Sequence, residues 1–326
     1  MENNNKAFEL GDYLCVKHED LKTRLSSRSG GVFTALTDII LNEGGRVYGV
    51  KLNGDFIALH AHADNFEERD LFRGSKYVQS DKGDTFLSVE RDLRDGKKVL
   101  FSGTPCEVAG ILAFLNAKKV SLDNLITVDI VCHGTPSPKV WRDYLDHIEK
   151  VNGKKIKSVD FRNKIDFGWA SHTETVYFED GTRYDSTDFR YLFYRHCILR
   201  PSCFNCPFKS KRVADIAIGD AWGIQSSHPE FNDDKGVSLV ILNTQNGVDL
   251  FNKSIDSLSV IAVEPREVWQ RPLYESETEP ENRKEFWNYY GKKPIKKVIK
   301  KYAGDSFYVR IKRRAKKILK RLGIKR

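Results

Sequence analysis

No run of about 18 consecutive apolar residues occurs in this chain of 326 residues, which excludes a membrane-spanning helix. The first residues, Met1 to Lys6, are polar and lead into no apolar segment, so no secretory leader is expected. Internal repeats and long low-complexity tracts are also missing. Cysteine is sparse: six are present, and just one pair forms a CxxC. In the cytoplasmic chain these absences imply, such thiols are reduced ligands or core residues rather than disulfides. Net positive charge is missing outside one end. Sixteen of the 54 Lys and Arg lie between Lys292 and Arg326 against one acid, Asp305, which gives the tail +15 and leaves −6 for the rest. The overall +9 is therefore no sign of a nucleic-acid groove in the body.

What remains is an ordinary soluble composition, 40% hydrophobic and 30% charged, long enough for one large domain or two closely joined ones. The period of apolar residues predicts a short strand at 13–16 and a helix at 32–41 capped by Ser29 or a glycine. A hairpin is expected at 46–50 and 56–62, and short helices at 66–71 and 85–93. Two strand–loop–helix units follow. Lys98–Phe101 runs into Ser102-Gly103-Thr104-Pro105-Cys106 and a helix over 107–115, and Leu125–Val131 empties into Cys132-His133-Gly134 before a helix over 140–151. Antiparallel strands are expected at 156–162 and 171–178. An aromatic helix spans 189–199 and carries Cys197, and the last strand is 237–243. Segment 264–291 reads as an extended, acidic and aromatic wrap or lid. Within the basic tail, Tyr308, Ile311, Ala315, Ile318, Leu319 and Leu322 share one face of an amphipathic helix that suits an anionic membrane surface, an acidic partner or the protein's own body. The fold class is α/β (mixed α+β), a central mixed sheet flanked by helices with an antiparallel section.

The chemistry gathers around Cys203-Phe204-Asn205-Cys206. Two thiols at this spacing can face one metal or cluster, and Pro201 and Pro207 favour a rigid turn around them. Cys106 and Cys132 end consecutive strands and belong side by side, with the Cys106 thiolate favoured by the helix dipole. Four thiolates suit either a structural zinc or an iron–sulfur cluster. Cys197 is a substitute ligand or a core thiol, and Cys15 stands apart. His60 and His62 share a strand face without a third ligand nearby. Three loops have the composition of a phosphate seat: Arg28-Ser29-Gly30-Gly31 at a helix start, Gly74-Ser75-Lys76-Tyr77, and Ser102-Gly103-Thr104 at a strand end. Each also has the composition of an ordinary cap or turn.

Five ordered motifs add a resemblance. They are Ser29-Gly30-Gly31-Val32, the loop from Gly74 to Ser80, the stretch from Gly103 to Gly110, Asp129-Ile130-Val131-Cys132-His133-Gly134-Thr135-Pro136, and Cys203–Cys206 through Gly219-Asp220-Ala221-Trp222-Gly223. Over residues 25–245 the chain resembles the coenzyme F-420 hydrogenase/dehydrogenase beta-subunit family. The resemblance implies FAD and a [4Fe-4S] cluster passing electrons or hydride to or from the deazaflavin or another acceptor. It implies that Cys106, Cys132, Cys203 and Cys206 hold the cluster, and that the loops at Ser29–Gly31, Gly74–Tyr77 and Ser102–Thr104 hold the flavin. On this reading residues 1–90 are a flavin-binding part, 91–263 an iron–sulfur and flavin part, 264–291 the wrap and 292–326 the tail. Arg28 and Lys76 would offset diphosphate charge, His133 would relay a proton or bond a cluster sulfur, and Trp222 would shield a cofactor or fill the core. Many relatives carry an N-terminal ferredoxin domain with two long cysteine runs. Here these are absent, so a separate ferredoxin-like protein or a small donor is expected to exchange the electrons. Shorter, basic-tailed relatives are associated with surface polysaccharide synthesis, which suits a cytoplasmic protein resting on the inner membrane face. The rival reading is a zinc-stapled, non-catalytic binding or scaffold protein acting through its basic tail.

Overall fold

The computed structural model describes residues 7–209 and 211–303. The amphipathic stretch expected from Tyr308 to Leu322 lies outside these.

An eight-stranded mixed sheet organises the chain. In chain order its strands are β1 (Tyr13–His18), β2 (Arg46–Leu52), β3 (Ala58–Ala63), β4 (Val99–Gly103), β5 (Leu125–Ile130), then β9 (Ile216–Asp220), β10 (Ser238–Leu242) and β11 (Leu258–Ala262). Between β5 and β9 the chain builds a separate antiparallel sheet of β6 (Ile156–Asp160), β7 (Glu174–Phe178) and β8 (Arg183–Ser186). Across the main sheet the order is β11-β1-β10-β9-β5-β4-β2-β3. Strands β2, β4, β5 and β9 run parallel. The remaining pairings, β2 with β3 and the β9-β10-β1-β11 series, are antiparallel.

Alternation along the strands sends side chains to two faces. Leu14, Val16, Val47, Leu100, Val128, Val240 and Leu242 pack on one face beneath helices α2 (Val32–Asn42) and α10 (Gln245–Lys253), which follow α1 (Leu21–Ser26) in the helix series. The opposite face is divided. Tyr48, Val99 and Phe101 meet α4 (Thr85–Arg94) and α5 (Pro105–Ala117), with the short α3 (Phe66–Asp70) preceding them. Cys15, Ala217, Leu239 and Ile241 meet Trp169, Val268 and Leu273 instead. A third core joins the small sheet to α6 (Pro138–Asn152) and α8 (Asp188–Tyr194), around Trp141, Tyr144, Phe189 and Phe193. Helices α7 (Lys164–Phe167) and α9 (Ile224–Ser227) are single turns. They are followed by α11 (Arg283–Tyr290) and α12 (Ile295–Val298).

Three expectations change. Strand β11 was not expected, because Leu258–Ala262 follows a helix closely and its alternation is partly exposed; pairing with β1 makes it the sheet edge. The aromatic helix ends at Tyr194 rather than 199, where His196 takes a left-handed φ of 61° that breaks the helical path. Segment 264–291 is not uniformly extended: two 3-10 turns seat Val268 and Leu273 in the core, and α11 buries Phe286. The described start of the tail, through Ala303, packs Val298, Ile299 and Tyr302 into the third core while Lys296, Lys297 and Lys300 stay exposed. Among the described residues no helix is long and apolar enough to cross a membrane.

Candidate functional site

A cavity of about 250 Å³ opens where β4, β5 and β9 end, lined by Ser102–Thr104, Ile130–Pro136 and Gly219–Asp220. The carboxyl ends of parallel strands are where α/β sheets gather ligand-binding loops. Of the residues expected at a cofactor, Arg28, Ser29, Gly31, Gly74, Ser75, Lys76, Tyr77, Ser102, Gly103 and Thr104 all line it. Gly30 does not. An added Cβ there would lie 2.0 Å from the Val16 carbonyl oxygen and 2.6 Å from the Ser238 nitrogen. Its N–H donates to the Ser238 hydroxyl at 2.8 Å. Gly30 thus lets its loop lie flat on β1 and β10 and does not face a ligand.

The lining loops differ in what they leave unclaimed. The Ser29 hydroxyl donates to the Val237 carbonyl at 2.6 Å, and Arg28 donates to the carbonyls of Arg162 and Trp169. In the second loop, the N–H groups of Gly74, Ser75, Lys76 and Tyr77 make no hydrogen bond among the described residues. Helix α2 likewise begins at the cavity with no side-chain cap, so the N–H groups of Val32 and Phe33 have no hydrogen-bond partner among the described residues. Lys76 is not a free cation. Its ammonium donates to the Leu71 and Arg73 carbonyls at 2.9 Å each, and burial pulls its pKa down to about 7. Thr104 caps α5, its N–H bonded at 2.8 Å to the Glu107 carboxylate, and Glu107 also accepts from Lys82 and Ser80. The Ser102 hydroxyl donates to the Tyr48 carbonyl.

The four expected ligand cysteines meet beside this cavity. Cys106 lies in the first turn of α5, Cys132 follows β5, and Cys203 lies within a 3-10 turn from Pro201 to Asn205 that Cys206 ends. The electrostatic influence of Cys203 and Cys206 reaches Cys106, and that of Cys106 and Cys203 reaches Cys132. Backbone N–H groups of Gly134 and Thr135 donate to the sulfurs of Cys132 and Cys203, at 3.3 and 3.4 Å. Gly134 holds this turn at φ 95°, and a Cβ there would crowd Leu199 at 2.8 Å. Burial pushes the Cys132 thiol up to about 12, Lys209 offsetting part of the rise. Cys106 is also raised, by burial, against the pull of the Thr104 hydroxyl; the dipole alone does not make it a thiolate. Among the described residues no group of three or more His, Cys, Asp or Glu side chains is placed to hold a metal ion. The thiols are neighbours without converging on one point.

Cys15 and Cys197 stand elsewhere. Cys15 is buried in β1, and Cys197 packs in the third core with Asn282 as its polar contact at 3.5 Å. His60 is buried, stacked on Phe101 and bonded to Ser80, while His62 is exposed. His133 lines the cavity, and burial, then the Lys209 charge, hold its pKa down to about 4. Its Nδ1 lies 3.7 Å from Glu277, a buried carboxylate that also contacts His196 at 3.4 Å.

Several cavity residues were missed: Arg162, Tyr194 and Gln270, together with the buried His172 that bonds Tyr194. The run Asp160-Phe161-Arg162-Asn163 offered a signal, an arginine directly after a phenylalanine at the end of a strand, yet strand alternation explained it equally well. Asp220 appeared inside a motif without a role. It accepts hydrogen bonds from Arg162 Nη1 at 2.9 Å and the Trp169 indole at 3.1 Å. Burial alone would raise its pKa, but Arg28 and Arg162 hold it below the ordinary value.

Residues 96–267 match the family model for the carboxyl-terminal part of the coenzyme F420 hydrogenase/dehydrogenase beta subunit. The chain belongs to that family. The matched stretch contains all four ligand candidates, His133, Arg162 and Asp220, whereas the loops at Ser29–Gly31 and Gly74–Tyr77 precede it. Membership makes this family protein an oxidoreductase by class. The fold agrees with a solved structure, a chain from the xenon-derivatized F420-reducing [NiFe] hydrogenase complex of Methanosarcina barkeri. The two share 19% identity and a TM-score of 0.55, over 80% of this chain and 85% of that one. No curated protein matches the sequence.

Proposed function

We propose that this family member is an iron–sulfur flavoprotein oxidoreductase, moving electrons or hydride between a [4Fe-4S] cluster, FAD and an organic or deazaflavin acceptor. One observation carries the reading: the loop Val131–Thr135 lines the cavity and also supplies Cys132 and the N–H donors to Cys132 and Cys203. A ligand in the cavity and a centre on the thiols would thus be separated by a single turn of chain. Bound there, flavin would supply two-electron hydride chemistry and the cluster one-electron transfer.

The residues fit these groups. Open N–H groups at Gly74–Tyr77 and at the start of α2 suit the phosphates of a dinucleotide. Lys76 serves differently from expectation: it staples its loop from behind, and a bound anion would draw it towards the charged form. Cys106, Cys132, Cys203 and Cys206 form an all-sulfur set suited to iron–sulfur or zinc. Cys106 and Cys132 come singly from separate strand ends beside one CxxC pair, a scattered ligation that supports a cluster over the two CxxC pairs usual in a zinc ribbon. His133, neutral at pH 7, donates or accepts one hydrogen bond at the cavity wall, with Glu277 behind it.

The exchange of electrons with a separate ferredoxin-like partner, and the resting of the tail on an anionic membrane surface beside polysaccharide synthesis, extend this reading. The exposed lysines 292, 293, 296, 297 and 300 support the membrane contact. Anaerobic reconstitution with iron and sulfide tests the assignment. Cys203→Ser should lose most of the bound iron, and Cys197→Ser should keep it. Equal iron in both variants would reject the ligand set.

A further inference from the structure

Two arginines and one aspartate form a sealed wall of the cavity. The side chains of Arg28, Arg162 and Asp220 are 10%, 5% and 12% exposed. Arg162 donates to Asp220, to the Tyr77 hydroxyl and to the carbonyls of Ser171 and Trp169. Arg28 donates to the carbonyls of Arg162 and Trp169, and its Nε stands 3.9 Å from Asp220 without a hydrogen-bond partner among the described residues. The Trp169 indole N–H donates to Asp220, the ring stacks on Trp222 at 4.8 Å, and the Trp169 backbone N–H donates to Asp234. Arg162 also lies over the Trp222 ring, 5.5 Å from its centroid. Neither guanidinium is free to swing towards a ligand.

Two cations thus face one anion, a surplus of one positive charge. Asp160 and Lys164, the next charged groups on the same stretch, do not line the cavity, and burial with the neighbouring arginines pulls the Lys164 pKa down to about 7, so Arg28 and Arg162 are the fixed cations of the wall itself. Buried charge without a counter-charge is costly, and a cavity wall keeps such a surplus where a bound group supplies the missing negative charge.

We propose that this wall is a fixed electrostatic clamp for negative charge on the ring of the bound redox ligand, with Arg28 carrying the surplus. The proposal rests on the flavoprotein reading. A ring that accepts a hydride gains two electrons and one hydrogen nucleus, so it becomes one unit more negative, while the donor is left oxidised. Preoriented cations in a wall shut off from water stabilise that charge without reorganising. Arg28 is a positioning residue here: it acts through its field.

Sulfite provides a probe that needs no physiological substrate. Its sulfur lone pair forms one σ bond to a ring nitrogen of the oxidised flavin, a ring C=N π bond opens, and its electron pair passes into the ring as negative charge. Bleaching of the visible flavin band then reads the affinity. On the flavin-loaded protein, Arg28→Gln should weaken sulfite binding at least tenfold, Arg28→Lys should restore most of it, and Asp220→Asn should tighten it. A purely bracing role would make the Lys and Gln variants alike and leave Asp220→Asn without tightening. If Arg28→Gln fails to fold, the direction of the Asp220→Asn shift still decides. Wild-type protein with no flavin would overturn the functional reading and this inference with it. Bound flavin with sulfite affinity unmoved by either charge change would overturn the inference alone.

Discussion

The loops Arg28–Gly31 and Gly74–Tyr77 have similar compositions, each with glycine, a hydroxyl and a cation, yet they end in opposite conditions. The first spends its polar groups on the protein: Ser29 on Val237, Gly30 on Ser238, Arg28 on two carbonyls. The second keeps four backbone N–H groups open beside the cavity and turns its cation away. Residue content predicts the ability to bind an anion; where each donor is already bonded decides whether it does. On this account the first loop is mainly an architectural piece that presents the start of α2, and the second is the phosphate seat.

The comparison breaks most sharply at Gly30. Gly30→Ala should cost about 3 kcal/mol or more, because the new methyl meets backbone atoms that cannot move aside. Chemical denaturation measures this, and a near-neutral result would undo the architectural role. A buried acid beside the cysteines comes next. Burial raises the Asp129 pKa to about 7, against the pull of Arg212 and Lys209. The folded apo-protein then holds a proton there that the unfolded chain releases above its ordinary value of 3.8. Stability should therefore fall as pH rises from about 4 to 7, and Asp129→Asn should flatten that decline. Melting temperatures across this window, equally sloped in both proteins, would contradict the account.

Smaller effects separate the two loops directly. Ser29→Ala removes one of the two hydrogen bonds to the buried Val237 carbonyl, the other coming from the Ala221 N–H, and should cost ~0.5–1.5 kcal/mol of stability. Ser75→Ala should change stability by less than ~0.5 kcal/mol, because its hydroxyl makes no hydrogen bond among the described residues. Its FAD affinity should fall ~5-fold, the worth of one hydrogen bond. Fluorescence titration with FAD reads the second quantity, and larger loss of affinity in Ser29→Ala would reverse the assignment.

Much of the fold was legible because strands such as β5 and β10 are short apolar runs and helices such as α2 keep a helical period of buried residues. Leu14, Val16 and Cys15 divide between faces as their spacing predicts. Strand β11 was obscure because an edge strand carries a weaker pattern, and the early end of α8 because a left-handed His196 leaves no signature in sequence. At the site, the cysteines were visible through spacing and loop context. Arg162, His172, Tyr194 and Glu277 were not, since they come from the small sheet, α8 and the wrap, which reach the cavity through tertiary packing alone. The same packing turned Arg28 and Lys76 away from the phosphate role their charge suggests.

The central claim is that the thiols and the adjoining cavity hold a cluster and a flavin. The most direct test is a visible spectrum of anaerobically purified protein with iron, sulfide, zinc and flavin analysis. The account predicts flavin bands over broad cluster absorption, with about four irons and matching sulfide per chain. A colourless protein with one zinc and neither iron nor flavin would contradict it.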